Sequence, residues 1–248
     1  MDASGSPSVP SGGGPFVYVA DVVAPVLSPE DHHHLARVRR VRDGDEIVLG
    51  DGAGRWCRAR MGGDRPEAVG PVVAEDRPEP PVSVGFALVK ASKPELVVQK
   101  LTELGVDHLR PFHAARSVVR WDATRAAAGG LRLAKVAREA AMQSRRSWLP
   151  TLHAPASFEE VASLDGACRA DRHGTPVLLS HPLVLVGPEG GWDDEERAVA
   201  LPVVGLGPHV LRAETAAIAA GAMLAAIRAG LAAEVTVSAD GGGAPTVG

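Results

Sequence analysis

The chain of 248 residues has only two cysteines, Cys57 and Cys168, far apart in sequence. That excludes a disulfide framework and any Cys-based metal spacing, and it reads as two incidental thiols in a reducing cytoplasm. There is no run of 18 apolar residues, so nothing is expected to span a membrane. The N-terminus, MDASGSPSVPSGGG, lacks the basic start and apolar core of a signal peptide. It reads instead as a disordered leader over residues 1–15. No Gly-Lys-Ser/Thr phosphate loop and no GxGxxG dinucleotide signature occur. Nor is there an excess of positive charge, since the formal net is −4. Three adjacent histidines (His32–His34) do not make a zinc site, because neighbouring helical residues diverge and no Cys or further His completes a tetrahedron. No metal is expected.

What is present is unevenly spread. From His32 to Arg60 seven Arg face four acids, a net of +3. From Arg110 to Arg146 eight Arg and one Lys face Asp122 and Glu139, a net of +7. The acids gather elsewhere, notably in DDEE at 193–196. Basic stretches segregated on an acidic chain are a footprint for polyanion binding, although a solvated helix face gives the same composition.

The periodicity divides the chain in two. Residues 16–75 form a small, mostly β, Arg-rich module. FVYVADVV reads as a strand, and Ser28-Pro29-Glu30-Asp31 as a capped helix start running through Val38. DEIVLGDGAGRWCRARM reads as a hairpin around a Gly-rich turn. Residues 76–81 (DRPEPP) are the expected linker. From 82 to 232 strand and helix signals alternate, which requires a parallel sheet covered on both faces. VSVGFALV is a buried-type strand, Ser92-x-x-Glu95 opens a helix, and 106–112 is the next strand. Leu133, Val136, Ala137, Ala140, Ala141 and Ser144 form the stripe of a second helix. Strands are expected at 177–180, 183–186 and 203–206, an Ala-rich helix at 214–229, and a disordered tail over 233–248.

The chemistry concentrates at two strand exits. LVLVGPEGGW (183–192) is an apolar strand ending in Gly187-Pro188-Glu189-Gly190-Gly191. VVGLGPHVLR (203–212) is a second such exit, leading into Glu214-Thr215. Glycines at the carboxyl end of a parallel strand let backbone amides approach a ligand, the usual place for sites in open α/β sheets. Two such exits about twenty residues apart can wall one pocket, and each alone can also be a plain tight turn.

GPEGG followed by LG-x-x-x-LR-x-ETA (Leu206, Gly207, Leu211, Arg212, Glu214, Thr215, Ala216) resembles the RsmE family, the SPOUT-class 16S rRNA (uracil-1498-N3)-methyltransferases of bacteria. The match continues in Lys93, in Gln99-Lys100-x-x-Glu103-Leu104-Gly105-Val106, in Arg116-Ser117-Val118, and in Ala141-x-Gln143-Ser144-x-Arg146 with Pro150. His34-Leu35-x-x-Val38-x-Arg40, Gly44-Asp45 and Asp51-Gly52 resemble that family's PUA-like RNA-binding domain. Departures are Met142, where an acid is common, Arg39 in place of a Leu, and Ala213 in place of a Thr. Ala213 removes a hydroxyl near the expected pocket.

The resemblance implies an α/β fold: a C-terminal SPOUT-type domain whose parallel sheet is trefoil-knotted with helices on both faces, and an N-terminal PUA-like β-barrel. It implies S-adenosylmethionine as cofactor, held by Leu185, Val186, Gly187, Pro188, Glu189, Gly190 and Gly191 on one loop. Leu206, Gly207, Val210, Leu211 and Thr215 would hold it on the other. It implies a homodimer in the cytoplasm acting on 16S rRNA or the small ribosomal subunit. RNA contacts fall to His34, Arg40, Lys100, Arg116 and Arg146. Uracil N3 must lose a proton to become a nucleophile, so Arg212 is the candidate to stabilise the resulting anion. Glu189 and Glu214 are the candidates to accept the proton. Each has a plainer reading, as a ribose contact or cap for Glu189 and as a first-turn acid for Glu214. The alternatives are another SPOUT reaction, such as ribose 2′-O-methylation, or a non-catalytic RNA-binding assembly factor.

Overall fold

In a computed structural model the described residues are 10–88, 94–117 and 123–234. They form two compact units, divided at Pro78/Glu79, and residues Arg138–Leu149 belong with the first. That division falls within the DRPEPP segment, residues 76–81. The expected assignment of 138–149 to the C-terminal domain does not, because these residues carry their side chains into the N-terminal unit's core.

The first unit is a five-stranded sheet. β1 (Phe16–Tyr18) runs parallel to β2 (Glu46–Gly50), which pairs antiparallel with β3 (Arg55–Arg60). β4 (Glu67–Ala68) and β5 (Val73–Ala74) both add antiparallel to β3. The hairpin expected around Asp51–Gly54 is therefore β2–β3. α1 (Pro29–His33) starts where Ser28 Oγ accepts the amide of Asp31 at 3.0 Å, and it continues as a π-helical turn over His34–Val38. Arg138 grips Asp31 with both terminal nitrogens at 2.9 Å and donates to Tyr18 O at 3.2 Å. Tyr18 Oη donates to Arg146 O at 2.6 Å. Ala141 and Met142 pack with Phe16, Tyr18, Val48 and Trp56. These contacts, invisible to periodicity, recruit 138–149.

Part of the leader expected to be disordered is placed on this unit. Arg145, at φ 55°, donates from Nη1 to Pro10 O and from Nη2 to Gly14 O, and the Pro15 carbonyl accepts from Val48 N at 2.9 Å. Backbone hydrogen bonding to a strand outweighs the entropy of a Gly-rich segment here.

The second unit is a wholly parallel sheet of seven strands. β6 (Ser83–Ala87), β7 (His108–His113), β8 (Thr151–Leu152) and β9 (Ala156–Ser157) build one side. β10 (Ala167–Thr175), β11 (Leu183–Val186) and β12 (Val203–Val204) build the other. The order is β12-β10-β11-β6-β7-β8, with β9 also on β7. Period-two alternation sends Val84, Phe86, Val184 and Val186 to one face. There they meet α2 (Pro94–Glu103), α3 (Ala123–Gln143) through Leu133 and Ala137, and α6 (Ala213–Arg228). Ala87, Leu183, Leu185 and Phe112 face the other side, against α4 (Phe158–Ala162) and Trp192. The expected two-faced parallel sheet is observed.

Two strand expectations fail. Residues 177–180 are not a strand, and β10 was not anticipated, because CRADRHG lacks the apolar run that signals a buried parallel strand. Ser92 and Lys93, read as a helix cap and a family position, and Val118 lie outside the described residues. The far end of α6 is fixed by a buried ion pair. Arg228 contacts the Asp107 carboxylate and donates to Gly105 O at 2.8 Å, while Asp107 accepts the Val82 amide at 2.9 Å.

On the β8 side, His153 Nε2 lies 3.2 Å from His108 Nδ1. Burial, then the charges of Arg110 and His108, push His153 down to about 4 from 6.5. The unfolded chain therefore takes up a proton near pH 6.5 that the folded chain refuses until about pH 4. Stability should fall as pH drops through that window. Urea unfolding at pH 7 and pH 4.5 should show the parent losing more stability on acidification than His153→Asn; equal losses would remove His153 as the cause.

Candidate active site

Parallel strands deliver their carboxyl ends to one edge, and in this sheet β10, β11 and β12 deliver theirs together. β11 lies between two strands from earlier in the chain, β6 on one flank and β10 on the other. A cavity of about 530 Å³ opens at this edge. Its walls are the β10 end (Ala170–His173), the β11 exit (Val186–Trp192) and the β12 exit with the start of α6 (Leu206, Gly207, His209–Leu211, Ala213, Ala216). Both glycine-bearing exits singled out in the sequence therefore border one space.

The closeness of the walls depends on absent side chains. A Cβ on Gly174 would lie 2.2 Å from the Val204 carbonyl carbon and 2.5 Å from Gly205 N. No real side chain fits there, so the ends of β10 and β12 can meet only through backbone, and Gly205 N donates to Thr175 O at 2.8 Å. Gly207 has φ +136° with nothing within 4 Å of a notional Cβ, a conformation essentially reserved for glycine, beside the cavity.

The floor is rigid. Trp192 is buried, stacks on Phe112 at 6.1 Å between ring centroids, and donates from Nε1 to Ala170 O at 2.9 Å. α5 (Asp194–Ala198) follows with a capping box between Asp193 and Glu196. Arg169, only 5% exposed, donates to the carbonyls of Glu196, Arg197 and Val199 at 2.7, 3.3 and 3.4 Å. A cation at a helix carboxyl end is the favourable arrangement. Arg197 pairs with Asp171, and both border the cavity.

The residues expected at the cofactor divide by position. Val186, Gly187, Pro188, Glu189, Gly190, Gly191, Leu206, Gly207, Val210 and Leu211 line the cavity. Leu185 does not: it is fully buried in the aromatic cluster on the opposite face of β11. Thr215 is exposed on α6 and is not among the lining residues. Arg212 is exposed at the N-cap of α6, makes no capping bond, and lies beside the lining residues Leu211 and Ala213. Glu189 is exposed on the cavity wall, whereas Glu214 is half-buried beside Phe86, Ala87 and Val97.

Of the residues expected to touch RNA, His34 and Arg40 are exposed on the first unit, Arg40 with φ 57°. Arg146 is half-buried there, with its carbonyl taken by Tyr18. On the second unit Lys100 pairs with Glu103 at 2.7 Å. Arg116 is exposed and donates from Nη1 to Gly190 O at 2.9 Å, on the GPEGG loop itself. Reading the sequence missed Asp171, His173, Trp192 and Arg197. The first two lie in the unrecognised strand β10, and Arg197 follows an acidic run that looked like plain surface.

A family model for an RNA methyltransferase domain matches residues 77–225, and one for an RNA methyltransferase PUA domain matches residues 27–68. The chain is 36% identical over 224 residues to the ribosomal RNA small subunit methyltransferase E of Mycobacterium bovis, covering 79% of this chain and 83% of that one. It is 32% identical over 217 residues to the Bacillus subtilis protein of the same name, covering 77% and 85%. Among solved structures, the small subunit methyltransferase E from Neisseria gonorrhoeae bound to S-adenosyl methionine superposes with a TM-score of 0.69. That pair is 28% identical, covering 87% of this chain and 98% of that chain.

The geometry makes one sharp demand. Gly174→Ala should force β10 away from β12 and lower the unfolding free energy, read from urea titration, by more than Gly207→Ala, whose strain is about 1–3 kcal/mol. A Gly174→Ala protein as stable as the parent would contradict the backbone contact.

Proposed function

The chain belongs to the ribosomal RNA small subunit methyltransferase E family, and from that premise we propose that it methylates N3 of one uridine, position 1498 of 16S rRNA in the family's usage. The observation that carries the proposal is the single cavity bordered by both glycine-bearing strand exits. S-adenosylmethionine would supply an electrophilic methyl group on a sulfonium. The residues present suit such a molecule: open backbone at Gly207, apolar walls from Val186, Leu206, Val210 and Leu211, and charged groups at Asp171 and Arg197. Leu185 supports the loop from beneath, and Thr215 stands on the following helix.

The protein's own part is to hold, orient and remove a proton. Once N3 is deprotonated, negative charge spreads onto O2 and O4 of the base. Arg212 is assigned to that charge. Support comes from its exposure at the rim and from a side chain that makes no capping hydrogen bond to α6. A fixed guanidinium facing charge that develops only in the transition state accelerates the reaction. Glu189 is the better placed of the two candidate proton acceptors, since it borders the cavity and Glu214 does not. Alignment of the two reactants removes a further part of the barrier, as much as about 7–11 kcal/mol in well-oriented cases.

RNA capture is assigned to His34, Arg40 and Arg146 on the first unit and to Lys100 and Arg116 on the second, through phosphate contacts. A trefoil-knotted path for the chain through β10–β12, a homodimer and a cytoplasmic location complete the proposal. The seven-residue link from β10 to β11 is short for a parallel crossover, which is in keeping with a knotted path. The apolar, exposed Val210 suits a subunit contact.

Mass-spectrometric mapping of 16S rRNA from a strain lacking this protein tests the assignment. One unmethylated uridine N3, restored by the parent gene, is expected; an unchanged modification pattern would refute it. With purified protein, Arg212→Ala should lower the single-turnover rate by about 10²–10³ while cofactor affinity changes little. Arg212→Lys should recover only part, because a point charge lacks the guanidinium fork. A near-normal rate in Arg212→Ala would take this residue off the catalytic list.

A further inference from the structure

Glu196 is 4% exposed in a run of otherwise accessible acids, and its carboxylate has two backbone partners. Oε2 accepts the amide of Asp193 at 3.0 Å, completing the local capping box of α5. Oε1 accepts the amide of Ala115 at 2.7 Å, across 81 residues of sequence. A local cap needs no such second bond. Ala115 sits in the turn after β7, and the adjacent Arg116 reaches back to Gly190 O at 2.9 Å. The result is a closed circuit: α5, the turn after β7, the GPEGG loop, and α5 again through Trp192 and Asp193. The other end of α5 is anchored by Arg169 on β10.

We infer that Glu196 is a positioning residue for the cofactor: by clamping Ala115 it holds Arg116 against Gly190 and so sets the shape of the GPEGG wall. The inference rests on the reading of the cavity as the cofactor site. A buried carboxylate oxygen accepting a backbone N–H makes a charge-assisted bond, stronger than a neutral one. Its loss leaves the Ala115 amide without a partner and frees the turn that carries Arg116. Glu196 is not among the residues that line the cavity, which separates its effect from direct contact with a ligand.

The test compares two variants that both damage the α5 cap. Asp193→Ala removes the side chain that accepts the Glu196 amide at 2.7 Å but leaves the Glu196–Ala115 bond. Glu196→Ala removes the carboxylate that accepts the Asp193 and Ala115 amides, while the amide of residue 196 can still donate to Asp193. Titration calorimetry with S-adenosylmethionine on the full-length protein, alongside thermal unfolding, reads affinity and stability separately. Glu196→Ala should weaken binding roughly 10–100-fold, the scale of a lost bond to a charged group. Asp193→Ala should lose stability while keeping close to the parent's affinity. Glu196→Gln, equal in size, should fall between and serves if the alanine variant does not fold. Arg116→Ala should weaken binding in the same direction as Glu196→Ala. Parental affinity in Glu196→Ala or Glu196→Gln, or an equal affinity loss in Asp193→Ala, would overturn the inference. Absence of binding by the unaltered protein would instead sink the cofactor reading, and this inference with it.

Discussion

Where β10 ends and β12 begins to leave the sheet, two stretches of backbone lie too close for any side chain. Gly174 faces Val204 and Gly205 at distances that even a methyl group would violate. Everything at the cavity depends on that approach. It brings the β12 exit beside the β11 exit, so that Val186–Gly191 and Leu206–Leu211 bound one space rather than two separate turns. A parallel sheet makes such convergence available, because all its strands point their carboxyl ends the same way. The glycine lets the two exits come close enough to border the same cavity.

The rest of the second unit holds these loops still. Apolar alternation in β6 and β11 feeds two cores, one under α2, α3 and α6 and one under α4 and Trp192. The buried Arg228–Asp107 pair ties the end of α6 to the start of the sheet. A pair this deep is costly to break from one side, whatever its net contribution. Arg169 and Glu196 do the same at the two ends of α5, with a cation at the carboxyl end and a carboxylate at the amino end. Catalytic preorganisation requires such support behind the contacting groups. The N-terminal unit follows a different logic, a small sheet whose core is completed by Ala141 and Met142 and locked by Arg138 on Asp31.

Much of this was legible in the sequence, for physical reasons. LVLV followed by GPEGG announces a buried strand with a glycine exit, and VVGLG repeats the pattern; both exits border the cavity. The two-faced parallel sheet and the Ala-rich last helix were equally plain in the periodicity. β10 was not legible, because ACRADRHGT alternates charged residues through a strand whose buried Arg169 is satisfied by helix-end carbonyls. Glu196 hid in an acidic run that composition reads as solvated. Residues 138–149 look like the end of a helix in the C-terminal domain, and only Tyr18, Asp31 and Glu75 reveal their other allegiance: Ser147 Oγ donates to Glu75 at 2.5 Å. Leu185 carries a binding motif's position but points into the core, since a strand's alternation overrides membership of a motif.

We propose that the two strand exits act together as the walls of one cofactor site. Hydrogen–deuterium exchange with and without S-adenosylmethionine addresses it directly. The non-proline amides in 187–191 and in 206–211 should be slowed together, with the N-terminal sheet unchanged. Protection confined to one loop, or absent from both at saturating cofactor, would contradict it.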